Sequence, residues 1–263
     1  MRFSFMSFST PEMSLEQMLS LAEELGYEGI EPRLDADHGH GVEVECSAEE
    51  RESIRERVAE SEVSLACLAT SCRFADPQER DRMMEDAHER IDLAGDVGAP
   101  CIRVFGGRYP ESLSREEAIE GLAGALGGLA DRAREREVVI ALETHDAWCD
   151  PAHVAEVLRR VDHAAVGANW DIMHPVRTGL ATIEESFNAL QPWIRHLHVH
   201  DGVFGEGGLE MVPVGEGQID HGRALELLEG IGFDGFVSGE WINWEPAEVH
   251  LPRELAALRA LEL

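Results

Sequence analysis

Short apolar or β-branched runs alternate along the whole chain with longer amphipathic stretches. The runs cover residues 2–7, 29–33, 63–69, 100–105, 138–145, 166–171, 194–201 and 235–241. They recur about every 33 residues, the length of one strand-plus-helix unit. Between them the apolar positions follow helical spacing. Leu15, Met18, Leu19 and Ala22 form one stripe, with Ser14 and Gln17 placed as a capping box and Gly26 as a stop. Ser47 with Glu50 repeats the box, Ile119, Leu122, Ala123 and Leu126 form a second stripe, and Ala224, Leu227, Leu228 and Ile231 a third, ending at Gly232. Eight successive βα units, with no Pro/Ser-rich linker or abrupt change in composition, predict a closed (β/α)8 TIM barrel, one α/β domain over residues 1–263.

Composition adds constraints. Hydrophobic residues make 44% of the 263 and charged residues 28%, and no stretch approaches the run of about 20 apolar residues needed to span a bilayer. The segment from Met1 to Ser14 is interrupted by Glu12 and lacks a small-residue cleavage signature, so a soluble cytoplasmic protein with no membrane partner is expected. Against 52 acidic residues stand 22 basic ones, all arginine, for a net charge of −30. Such a shell repels itself in dilute buffer and is screened at molar salt, where the Debye length is about 3 Å. The composition resembles that of halophilic proteins from organisms with a salt-loaded cytoplasm. Without lysine there is no Schiff base and no P-loop, and the sign of the field argues against a nucleic-acid partner. The five cysteines contain no C-x-x-C pair and read as reduced packing residues.

In a βα barrel, chemistry collects where strands end. The fifth run ends in Leu-Glu143-Thr-His145, the sixth in Trp-Asp171-Ile-Met-His174, the seventh reads His196-Leu-His198-Val-His200-Asp201, and the eighth ends in Gly-Glu240-Trp. Side chains alternate across a strand, so Leu142 and Thr144 facing the helices turn Glu143 and His145 inward, and Leu197 and Val199 outward turn all three seventh-run histidines inward. Carboxylates crowded into one lumen repel unless a cation lies among them. Two Glu, one Asp and one His suit Mn²⁺ or Mg²⁺, with Zn²⁺ or Co²⁺ as alternatives. Spacing alone does not choose between His198 and His200. His196 reads as a deeper, hydrogen-bonded lumen residue, His38 and His40 as loop residues, and Trp148, Trp170, Trp241 and Trp244 as barrel wall. Any single inward Glu also has a plainer reading, a buried ion pair with Arg103 from the fourth run.

Together with Val-Gly-Glu-Gly-Gln-Ile-Asp at 214–220 and Gly-Phe-Asp-Gly-Phe-Val-Ser-Gly-Glu at 232–240, these strings resemble the sugar phosphate isomerase/epimerase group of the xylose isomerase-like TIM-barrel superfamily. The resemblance covers nearly the whole chain and is best from residue 138 onward. It implies a divalent metal held by Glu143, Asp171, His198 and Glu240, with Glu143 and Glu240 also the catalytic acid/base pair and His174 touching a substrate oxygen; it also selects His198 over His200. His145 and His200 complete the substrate-binding set. Two positions depart from the group: many relatives carry Lys where this chain has His200, and its ketose 3-epimerases carry a substrate-binding Arg where this chain has Phe204.

This constellation suits proton abstraction next to a carbonyl, passing through a metal-stabilised enediolate. A metal-dependent isomerase or epimerase of carbohydrate metabolism, acting on a small-molecule sugar, sugar phosphate or keto-polyol, is therefore expected, with a homodimer as the base-rate assembly. The alternatives are a keto-inositol-type dehydratase on the same site, an apurinic-site DNA endonuclease of the same superfamily, and a non-catalytic sugar-binding barrel. The endonuclease would need further histidines after the third and fourth runs, where this chain offers Ser71-Cys72 and Phe105-Gly106-Gly107. Arg33, Arg103 and Arg108 are candidate phosphate partners.

Overall fold

The structure, a computed structural model, describes residues 1–205 and 208–262. Its strands are β1 (Arg2–Met6), β2 (Gly29–Glu31), β3 (Ser64–Leu65), β4 (Leu68–Arg73), β5 (Cys101–Phe105), β6 (Val139–Glu143), β7 (Val166–Asp171), β8 (Ile194–Val199), β9 (Asp201–Gly205), β10 (Gly208–Val212) and β11 (Phe236–Gly239). The order β3-β2-β1-β11-β8-β7-β6-β5-β4 is parallel throughout. β3 and β4 are the two halves of one predicted run, broken at Ala66 and Cys67, and they end the sheet on opposite sides. The ring closes where the chain beyond β2 meets β4: Leu34 N–H donates to the Ala69 carbonyl at 2.9 Å, and Ala69 N–H to that of Pro32 at 3.0 Å. This is the expected (β/α)8 barrel.

Helices α1 (Leu15–Leu25), α2 (Ala48–Glu60), α3 (Arg80–Val97), α4 (Arg115–Glu135), α5 (Pro151–Val161), α6 (Met173–Arg177), α7 (Ile183–Leu190), α8 (His221–Gly230) and α9 (Ala247–Ala260) accompany the strands. Both predicted capping boxes form, Ser14 with Gln17 and Ser47 with Glu50, and Gly26 ends α1 at φ 86°, where glycine carries no steric cost. The first two predicted stripes are buried, whereas on α8 the buried apolar positions are Ala224, Leu225 and Leu228, and Ile231, just beyond it, is exposed. The seventh strand stops at Val199 instead of 201, because the chain turns there into the antiparallel pair β9–β10. No helix among the described residues is long and apolar enough to cross a membrane.

Candidate metal and substrate site

Register places the chemistry. Asp171 lies opposite His198, Glu143 opposite Asn169, and Ser238, two residues before Glu240, again opposite His198. Glu240 N–H then donates to the Val199 carbonyl at 3.0 Å, which brings its side chain to the same level. The ligand-type atoms of Glu143, Asp171, His198 and Glu240 consequently lie within 4.8 Å of one another, all four residues buried.

His198 is the hub. Its Nδ1 sits 3.1 Å from Glu143 Oε1 and 3.4 Å from Glu240 Oε2, so the two glutamates flank one nitrogen, with the Asn169 amide 3.1 Å from the same atom. Its Nε2 lies 3.0 Å from Oε1 of Glu31 on β2, whose Oε2 is 2.8 Å from His196 Nε2. Burial disfavours a charged His198, but Glu31, Glu143 and Glu240 outweigh it and raise its pKa well above the ordinary value. Burial likewise works against ionised Glu31, yet His196 and His198 hold it well below the usual carboxylate range. Glu240 is drawn down to about 2 against the burial penalty, by His198 and then His200 and Arg103.

Four buried carboxylates, those of Glu31, Glu143, Asp171 and Glu240, share this space with a single buried guanidinium, that of Arg103. Arg103 Nε lies 3.2 Å from Glu143 Oε2, so the plainer ion-pair reading holds for one of the four. Neither that contact nor the 3.0 Å approach of His200 Nε2 to Asp171 Oδ2 is aligned as a hydrogen bond, which leaves both oxygens without a hydrogen-bond donor among the described residues. Unpartnered buried carboxylate oxygens converging with an imidazole nitrogen are what a divalent cation satisfies. The residues present fit such an ion.

A wall of imidazoles stands beside Asp171. Oδ1 of Asp171 caps α6, accepting from Met173 N–H at 2.8 Å and His174 N–H at 3.1 Å, and so leaves Oδ2 to face the centre. His174 Nε2 is 3.6 Å from that oxygen, and the His174 ring lies 4.4 Å from His145 and 5.6 Å from His200, edge to face. The three predicted substrate-binding histidines therefore form one surface. His38 and His40 stand apart from it: His38 Nδ1 is 2.8 Å from Ser7 Oγ, and His40 packs on its own loop. Trp148, Trp170 and Trp241 are fully buried wall residues, as expected, and Trp244 packs under Arg253.

Asp201 has no place in the metal cluster. Its carboxylate accepts four backbone N–H groups, Gly202 at 2.8 Å and Ile219 at 3.2 Å on Oδ1, Gly215 and Gly217 at 2.9 Å on Oδ2. A Cβ on Gly217 would overlap this carboxylate, which explains glycine at that position. The His-Val-His-Asp and Val-Gly-Glu-Gly-Gln-Ile-Asp strings thus belong to one device, which ties residues 215–219 to the start of β9. Asp201→Ala should cost about 2–4 kcal/mol, the scale of losing charge-assisted bonds to buried donors. Urea unfolding at fixed salt measures it, and an unchanged midpoint would show that the loop does not depend on Asp201.

The chain's reading missed Glu31. The signal was present in Gly-Ile-Glu, where Ile30 against the helices turns Glu31 inward by the same alternation applied to Glu143. Of the candidate phosphate partners, Arg33 is occupied by the carbonyls of Leu34 and Ala69 and by Ser71 Oγ, burial and Arg103 lowering its pKa to about 10, and Arg103 is turned into the lumen. All five cysteines are free thiols.

The chain is 22% identical over 263 residues to a 3-dehydroshikimate dehydratase of Bacillus anthracis, covering 92% of this chain and 91% of that protein. It is 27% identical over 231 residues to L-ribulose-5-phosphate 3-epimerase UlaE of Salmonella heidelberg, covering 82% and 78% respectively. A xylose isomerase-like TIM barrel protein from Mycobacterium smegmatis, solved in complex with magnesium, superposes with a TM-score of 0.76 at 19% identity, covering 99% of this chain and 96% of that one. With residues 19–261 matching its profile, the chain belongs to the xylose isomerase-like TIM barrel family.

Proposed function

We propose that this protein is a divalent-metal-dependent isomerase or epimerase that moves a proton next to the carbonyl of a sugar, sugar phosphate or keto-polyol. The observation that carries it is the buried set Glu143, Asp171, His198 and Glu240, gathered within 4.8 Å beside the imidazole wall. These four residues would hold the metal, and three carboxylates with one imidazole favour Mn²⁺ or Mg²⁺ over Zn²⁺ or Co²⁺. When bound, the ion supplies Lewis-acid polarisation of a carbonyl oxygen.

Proton movement falls to the chain's own carboxylates. Glu143 and Glu240 approach His198 Nδ1 at 3.1 and 3.4 Å and are buried, so each presents a carboxylate to a substrate carbon shielded from water. Removal by one glutamate as carboxylate, and return to the opposite face by the other entering the step protonated, inverts a centre; return to the neighbouring carbon, with the hydroxyl proton passing to the carbonyl oxygen, interconverts aldose and ketose. His174, with His145 and His200 beside it, orients substrate hydroxyls, and Glu31 positions His198 through its distal nitrogen.

The names of the relatives support the same elementary step. A 3-epimerisation of a 2-ketose and a dehydration of a hydroxy-ketone both begin with a proton lost beside a carbonyl. Dehydration on the same two glutamates is the alternative, favoured by the Bacillus anthracis relative. The apurinic-site nuclease gains no support: the metal-competent groups among the described residues draw on Glu31, Glu143, Asp171, His174, His196, His198, His200 and Glu240, with no contribution from β4 or β5.

The test is solvent deuterium exchange into a panel of free and phosphorylated ketoses and keto-inositols. Metal-loaded protein should exchange a carbon-bound proton of at least one member. Chelation should abolish the exchange, and Mn²⁺ or Mg²⁺ should restore it. Absence of exchange across the panel by protein shown to bind Mn²⁺ would leave a sugar-binding barrel in its place.

A further inference from the structure

Arginine is scarce relative to acid in this chain, 22 against 52 acidic residues, and even strongly exposed guanidinium groups find carboxylates: Arg73 with Glu79, Arg82 with Asp86, Arg134 with Asp131, Arg159 with Glu156. Exposed Arg2, Arg195 and Arg259 bond backbone carbonyls instead, and Arg55 has neither kind of partner among the described residues; Arg108 and Arg177 share that state with Arg55 but differ from it in place. Both are exposed, neither has an ion pair or hydrogen bond among the described residues, and both line one groove of about 670 Å³. The same groove is lined by His145, the outermost ring of the imidazole wall.

The fold brings the two cations to the site by short routes. Arg108 follows β5, just beyond Gly107. Arg177 ends α6 three residues after His174, so the two share a helix face. From the groove the path runs from His145 to His174 at 4.4 Å between rings, and from His174 Nε2 to Asp171 Oδ2 at 3.6 Å. Two carboxylates also line the groove. Asp146 lies 3.2 Å from His145 Nδ1 and also feels the charge of Arg108, both of which favour its ionised form, and Glu111 is exposed at the rim.

We infer that this groove receives an anionic group, a phosphate ester or a carboxylate, carried by the substrate at the end remote from the metal cluster. This rests on the function proposed above and narrows its substrate class from neutral sugars to anionic ones. The physical reason is the field. A protein at −30 repels anions, so a charged substrate needs local cations at the mouth to be admitted and held. Guanidinium forks match the oxygens of a phosphate or carboxylate and bind them with charge-assisted hydrogen bonds.

Calorimetry on Mn²⁺-loaded protein at one fixed salt concentration tests this with three probes: ribitol, ribitol 5-phosphate and quinate. At least one anion should bind about 10-fold or more tightly than ribitol. Arg108→Gln and Arg177→Gln should each weaken that anion by about 10-fold, and the double variant should erase the preference while leaving ribitol unchanged. Arg55→Gln, on α2 and outside the groove, should change nothing. Preference for ribitol 5-phosphate identifies a phosphate ester, and preference for quinate a carboxylate. Equal affinity for the three probes, or a preference that survives the double variant, overturns the assignment. Failure of the functional proposal itself shows separately, as absence of Mn²⁺ uptake and of deuterium exchange.

Discussion

Replacing Glu143 or Glu240 by glutamine is expected to lower turnover by about 10²- to 10⁴-fold, the range a positioned acid or base contributes. Glutamine keeps the shape and one oxygen but cannot take up a proton at neutral pH. Both side chains are buried and approach the same nitrogen of His198, so the substitution changes charge at the centre with little change in volume. Metal binding should weaken in each variant and persist, because the remaining ligand-type residues stay in place. Glu240→Gln should change stability little, since the side chain keeps its volume and an oxygen toward His198. Glu143→Gln also leaves Arg103 Nε, 3.2 Å from the altered group, facing an amide, so a modest loss of stability is expected there and not at Glu240. Deuterium exchange gives the chemical step and Mn²⁺ calorimetry the metal. Full activity in both variants would remove the glutamates from proton transfer, and complete loss of metal binding with either would make that residue a ligand alone.

The second large effect is expected at Glu31, which would touch no substrate. Its two oxygens hold His196 and His198 at 2.8 and 3.0 Å from a fully buried position. Glu31→Ala strands two buried imidazoles, and breaking a buried pair from one side costs about 3–5 kcal/mol. It also frees the ring of His198 to turn, and loss of a partner that orients a ligand lowers metal affinity by about 10–100-fold. Glu31→Gln should fall between wild type and Ala, because its one carbonyl oxygen accepts from a single imidazole N–H. Urea unfolding with and without Mn²⁺ separates the two effects: both variants should unfold earlier, and saturating Mn²⁺ should recover part of the difference by mass action. A Glu31→Ala protein with wild-type midpoint and wild-type Mn²⁺ affinity would show that His198 is positioned by its strand alone.

How far the sequence carried depended on the range of each interaction. Capping at Ser14 and Ser47 and the stop at Gly26 involve neighbours three or four positions away and appeared as expected. Alternation along a strand is equally local, which is why the inward set Glu143, Asp171, His198 and Glu240 was legible, and why Glu31 could have been read the same way. The errors lie where distant contacts decide. Ile231 sits at helical spacing but faces solvent, with Leu225 buried in its place. The seventh strand ends at Val199 because the Asp201 carboxylate is claimed by backbone donors up to 18 residues away.

The sequence by itself determined a barrel of parallel strands and which residue types line its mouth, since both follow from periodicity within one element. Only the tertiary structure decided that His198 turns Nδ1 toward the glutamates and Nε2 toward Glu31, 167 residues away, and that Arg108 and Arg177 face one groove. Those facts depend on strand register and on closure of the ring. No local pattern encodes them, because a contact across the barrel is set by every strand between its two ends.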